Sequence, residues 1–278
     1  MSEPSTSPEA SPSPSAATTT IGRSRWWIHL LLVGSYPLTI GVLGWTRGES
    51  TQPALTHTAQ GLIITCIVQM LIFGGVFGLA WLASRASRDD LLLRWRNGIL
   101  TIPLGIAYSL GLRLALAVIA VMIGLLLLLT RIISVEQLQQ LATANRPRVD
   151  TLVDISALTH NPLYFWLNLT LVSFVVAGFR EELWRSAFVG GLRKLWPNQF
   201  GSRTGQVAAV AIAAIIFGLG HLPQGGVAVF LTGLLGFGLG MIMVFHQSIW
   251  PAVIAHGMFD ATTFALLPWV AENFKPLQ

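Results

Sequence analysis

Long uninterrupted apolar runs constrain this chain more than any other feature. "WWIHLLLVGSYPLTIGVLGW" (26–45), "GLIITCIVQMLIFGGVFGLAWLA" (61–83) and a block within 98–130 that ends "LALAVIAVMIGLLLLLT" are each long enough to cross a hydrocarbon core of about 30 Å as a helix. Further apolar blocks follow at 162–179, 207–222, 226–246 and 249–270. Seven spans are expected, or eight if the 98–130 block is broken near Arg113. Inside a bilayer every backbone N–H and C=O has to be satisfied internally, which leaves helices or a closed barrel. A barrel would show alternating segments of about ten residues, and these runs do not alternate. The expected fold class is all-α, a polytopic transmembrane helical bundle. Charge points the same way, since 10% of residues are charged where soluble domains carry about 25%.

Residues 1–22, "MSEPSTSPEASPSPSAATTTIG", are rich in Ser, Thr and Pro and cannot bury enough apolar surface to order themselves. They read as a disordered tail. A secretory signal would begin with a positive charge and then an apolar core; neither stands here, so the first apolar run is expected to be a retained helix. Residues 23–130 form an N-terminal set of transmembrane helices. A connecting interfacial segment, 131–161, leads to a transmembrane core at 162–270, followed by a short tail, 271–278. In the connector, "SVEQLQQLATA" has helical spacing, with Ser134 as its expected N-cap.

The net charge of +5 reads topologically, because Lys and Arg favour the cytoplasmic side of short loops. Arg23 and Arg25 precede the first span. Arg85, Arg88, Arg94 and Arg96 follow the second, and Arg193, Lys194 and Arg203 precede the block at 207–222. A cytoplasmic N-terminus with single crossings puts all three clusters inside, in a multi-pass protein of the cell membrane whose surroundings are membrane lipid. A nucleic-acid partner would need these residues on one soluble face and is not expected. The single cysteine, Cys66, lies mid-span and reads as a small packing residue.

Among the twelve Asp and Glu residues, only Glu181, Glu182 and Asp260 fall within or against the apolar segments, and His221, His246 and His256 gather in the same C-terminal part. An ionisable group at membrane depth costs several kcal/mol and is normally paired and functional. Arg113 and His29 are the comparable oddities of the N-terminal spans. In a helix from about 165 to 195, Arg185 can meet either Glu181 or Glu182. The two glutamates differ by about 100° around the axis, so one can pair with Arg185 while the other faces a cavity. Gly178, Glu182, Ser186 and Gly190 form a small-residue stripe suited to close helix packing. His221 ends "FGLGH", and His256 and Asp260 share a helix face beginning near Trp250–Pro251.

Three separate apolar segments thus supply groups that can pair only with one another or with what they bind. A carboxylate and a histidine can polarise water for attack on an amide carbonyl while other side chains stabilise the oxyanion. A carboxylate with two or three histidines can instead hold zinc with an open position for water, although the His-Glu-x-x-His helix is absent. Gly-x-Ser-x-Gly is absent too. Intramembrane acids and histidines also build proton relays in carriers, but no internal repeat supports that use here.

The order and spacing of these groups resemble the CPBP family of intramembrane glutamic endopeptidases, which includes the type II CAAX prenyl endopeptidases and bacteriocin-processing or immunity proteins. That family shows Glu-Glu-x-x-x-Arg, Phe-x-x-x-His and His-x-x-x-Asn or Asp in successive membrane helices. Phe217 to His221 matches the second motif and His256 to Asp260 the third, and the resemblance covers about 165–265. The first motif departs by one residue. Anchored on the glutamates it brings Arg185 one position early; anchored on Arg185 it puts Arg180 and Glu181 on the paired positions. Both alignments retain Glu181, and Glu182 lies on the small-residue stripe. The resemblance implies a hydrolase, a metal-independent, glutamic-type intramembrane endopeptidase without cofactor, acting on a membrane-associated peptide or protein. It implies that Glu181 or Glu182 with His221 activates water, that His256 and Asp260 support the oxyanion, and that Arg185 orients the glutamate helix. A non-catalytic membrane scaffold or immunity protein of the same fold is the alternative.

Overall fold

The computed structural model describes residues 16–46, 57–144 and 153–273, and regular structure among them is entirely helical. Helix α1 (Ala16–Thr46) starts inside the expected tail. Residues 16–22 of that expected tail are thus helical. Residues 1–15 of that tail, 145–152 of the connector and 274–278 at the C-terminus lie outside the described residues.

Helix α2 (Ala59–Ser84) is opened by Thr58, whose hydroxyl accepts from Gly61 N–H at 3.1 Å. Helix α3 (Thr101–Leu129), entered through a 3₁₀ turn at Gly98–Leu100, runs unbroken past Arg113. The break considered there does not occur, because the guanidinium is satisfied sideways. It donates to Phe259 O, Thr262 Oγ1 and, at 3.0 Å, Thr263 Oγ1, and lies 4.1 Å from the Phe259 ring centroid. Helix α4 (Val135–Ala144) carries the expected cap: Gln137 N–H donates to Ser134 Oγ at 3.2 Å, and Ser134 N–H donates back to Gln137 Oε1 at 2.8 Å, a reciprocal capping box.

The expected single α-helix from about 165 to 195 is three pieces after α5 (Ile155–His160). Helix α6 (Pro162–Leu167) passes into a π-helix, Asn168–Phe179, and then into α7 (Arg180–Leu195). Polar side chains serve the wider turns, with Ser173 Oγ donating to Asn168 O at 2.7 Å. The short α8 (Pro197–Phe200), α9 (Arg203–Leu219), α10 (Gly226–His246) and α11 (Trp250–Asn273) complete the chain.

Among the described residues, five stretches are long and apolar enough to cross a membrane: 59–84, 98–129, 162–195, 226–246 and 250–273. Helix α9 is apolar but has 17 residues. The closest pairings are α9 with α10, α11 with the π-helix and with α3, and α1 with α2. Helix α7 occupies the middle of the larger core, where Trp184, Ala187, Phe188, Val189 and Leu192 are buried. Cys66 is buried in the second core with Leu62, Tyr164 and Val172, as its packing role requires.

Candidate active site

The two neighbouring glutamates end up in different surroundings. Glu182 is fully buried, in contact with the Arg185 guanidinium one helical turn on, and its Oε1 lies 3.1 Å from Nδ1 of His256 on α11. Glu181 points elsewhere. Its Oε1 pairs with Arg180 Nη2 at 3.0 Å, and Oε2 is 3.8 Å from His256 Nε2. The same Nε2 stands 3.7 Å from Asp260 Oδ2, one turn further along α11. His256 is thus enclosed by three carboxylates from two helices.

Glu181, and not Glu182, lines a cavity of about 320 Å³. His221 faces the same space from the turn after α9, with Nδ1 3.0 Å from Gln224 Nε2. Trp184, Phe217 and Arg180 line it too, and Tyr36 on α1 and Gln69 on α2 complete the wall. Glu182, His256 and Arg185 sit behind that surface, and Asp260 joins through His256. The sequence motifs therefore resolve into a cavity pair and a buried support. His246 is separate, bonded to Tyr108 OH at 2.9 Å and to Asn97 at 2.7 Å.

Backbone packing makes this possible. At Gly178 an added Cβ would come within 2.9 Å of Val253 O, so the small-residue stripe lets α11 bring His256 up to Glu182. Along α10, Gly236 and Gly240 leave the room Arg185 occupies: a Cβ at Gly236 would stand 3.4 Å from Nη2, and one at Gly240 3.2 Å from Cδ. Phe217 is a hub of rings. Its centroid is 5.0 Å from His221, 6.4 Å from both His256 and Trp184, and 4.9 Å from the Arg185 guanidinium, a distance at which a cation is attracted to the ring face.

An acid and an imidazole sharing a partly apolar cavity, backed by a buried ion pair on the helix that carries the acid, is an arrangement suited to activating water. Residues 162–262 match the type II CAAX prenyl endopeptidase family, Rce1-like. The Rce1-like segment runs from α6 into α11 and contains Glu181, Glu182, Arg185, His221, His256 and Asp260. It is the family group the three motifs resemble, and one of membrane proteases. Helices α1 to α3 lie outside the Rce1-like match. No curated protein and no solved structure matches the chain. Among the described residues no group of three or more His, Cys, Asp and Glu side chains has the geometry to hold a metal ion.

Two contributors had no motif to announce them. Gln69 accepts from Arg180 Nη1 at 2.9 Å, and Tyr36 forms part of the cavity wall. Their polar side chains in apolar helices were the available signal. The glycines of α10 at spacing four were the corresponding signal for the Arg185 slot.

Proposed function

We propose that this protein is an intramembrane peptidase that hydrolyses a peptide bond of a membrane-associated protein or peptide with water activated by Glu181 and His221. The observation that carries the reading is that these two side chains share the cavity inside the segment that matches a protease family. Glu181 takes a proton from water, the oxygen adds to the amide carbonyl carbon, and the proton passes to the leaving amine as the C–N bond breaks. Glu182 and Arg185 hold the helix that presents Glu181, and His256 with Asp260 supports the oxyanion that forms transiently. No step requires a metal. Five spans together with α1 and α9 make seven crossings, with the N-terminus in the cytoplasm.

Cleavage of a panel of membrane-associated peptides by the purified, detergent-solubilised protein tests the proposal. Glu181→Gln and His221→Ala are each expected to lose about 10²–10⁴-fold in rate, the range for a positioned acid or base, and chelator is expected to leave the wild type unaffected. Unaltered cleavage in both variants overturns the assignment. Arg180 gives a second reading some weight: anchored on Arg185, the first motif has this cation where the family has an acid, and it pairs with Glu181. A folded wild type that cleaves none of the panel favours a scaffold or immunity protein of the same fold.

A further inference from the structure

Most of the exposed cations lie at the end of the bundle opposite the cavity; Arg131, after α3, is the exception among the described residues. Arg23 and Arg25 lie on α1, Arg85 and Arg88 follow α2, and Lys194 and Arg203 flank the α7–α9 connection; all six are exposed. Packing draws these segments together. Lys194 Nζ is 2.8 Å from Asp90 Oδ1 and 5.7 Å from the Trp26 ring centroid, and Trp27 meets Trp196 edge-on at 5.0 Å. Trp95 and Trp250 pack at 5.3 Å at the same end. Tryptophan marks the level of the headgroups on either side of a membrane, and arginine and lysine on short loops mark the cytoplasmic side.

The cavity faces the other way. Three of its walls, Gly220, His221 and Gln224, belong to the α9–α10 turn. Helix α9 climbs about 25 Å from Arg203 to that turn, and α10 returns about 30 Å to His246, which bonds to Asn97 back at the basic end. The turn is therefore separated from the cations by nearly the full hydrocarbon thickness of about 30 Å. On α1 and α7, between the cavity residues and the basic end, Val33, Ala187, Phe188, Leu192 and His29 are all buried. At the opposite end Leu222, Pro223, Gly225 and Gly226 are exposed. The α9–α10 turn contains no Lys or Arg, and Arg131 after α3 is the exposed cation described at this end.

We infer that the cavity opens on the extracytoplasmic face of the membrane, so that its substrate is a membrane-associated chain presenting the scissile bond on that side. A lipid-anchored chain confined to the cytoplasmic leaflet does not reach it. The substrate clause rests on the peptidase reading, whereas the direction of opening does not, and the test of direction is independent of cleavage.

That test uses full-length single-cysteine variants in a Cys66→Ala background, expressed in intact bacterial cells and exposed to a membrane-impermeant maleimide before and after permeabilisation. Gly226→Cys reports on the cavity end, where an added Cβ meets nothing within 4 Å, and Leu222→Cys repeats the reading if that variant folds poorly. Asn198→Cys, exposed on α8, reports on the basic end. The expected result is labelling of residue 226 or 222 in intact cells and of residue 198 only after permeabilisation. The reverse pattern, labelling of both ends from outside, or labelling of neither until permeabilisation overturns the inference.

Discussion

Glu181 and Glu182 differ by one position in the chain and by their whole environment in the fold. Glu182 is buried against Arg185 and His256, and removing one partner of a buried ion pair leaves the other charge uncompensated at a cost of about 3–5 kcal/mol. Glu182→Gln is accordingly expected to lower the unfolding temperature in detergent sharply, whereas Glu181→Gln, beside the cavity, loses activity with little change in stability. Equal melting behaviour of the two variants would contradict this division. Outside the spans, burial raises the Asp90 carboxyl, but the Lys194 ammonium with the N–H and hydroxyl of Ser87 outweighs it and holds the group below the ordinary carboxylate range. A lowered folded-state value gives stability that is present above about pH 4, the ordinary unfolded range, and that is lost as pH falls through the folded value. Asp90→Asn is expected to be less stable than wild type at pH 7, by at most about 1 kcal/mol for a partly exposed pair. The two melting curves should converge in acid.

At the scale of elements, helices approach one another where glycine stands. Helix α10 runs beside Arg185 because Gly236 and Gly240 leave the space, and a side chain at Gly236 would come within 2.7 Å of the Phe217 ring. Gly236→Val is expected to destabilise the fold by about 1–3 kcal/mol, the range for overpacking a filled core, and to reduce cleavage by displacing Phe217 and Arg185 together. Melting temperature and rate measured on the same preparation check both effects; a variant with wild-type values for both would show that the slot is not tight. The π-helix acts at this scale as well. Its wide turns put Phe174 against Gly257 and Gly178 against Val253, so that α11 lies close enough for His256 to reach Glu182. Helical periodicity in the sequence does not anticipate this, because the stretch departs from 3.6-residue spacing.

At the scale of the molecule, the N-terminal helices are part of the site although they lie outside the family match. Tyr36, Pro37 and Ile40 of α1 and Gln69 of α2 form one side of the cavity. Their position depends on a polar junction at the basic end, where His29 is fully buried with Nδ1 3.1 Å from Ala80 O and Nε2 3.0 Å from Ala187 O. Trp184 Nε1 donates to Val33 O at 2.8 Å, a second tie between α1 and α7. His29→Ala removes the ring's hydrogen bond at this junction, worth about 0.5–1.5 kcal/mol net. It is expected to lower stability and to slow cleavage without touching Glu181 or His221. Retention of full activity and melting temperature would show that α1 is held by its apolar contacts alone.

Run length and polarity along the chain were enough to establish a helical membrane protein and the three segments that supply acids and imidazoles, because each of these follows from local composition. The Phe217–His221 and His256–Asp260 spacings, and the ambiguity at Glu181–Glu182, were legible for the same reason. What each glutamate faces depended on the helical phase after the π segment and on the neighbour that α11 and α10 provide. The parts taken by Tyr36, Gln69 and Phe217 depended on contacts between residues far apart in sequence. The cavity is a space between helices, so it belongs to no single stretch of the chain and came into view with the packing that encloses it.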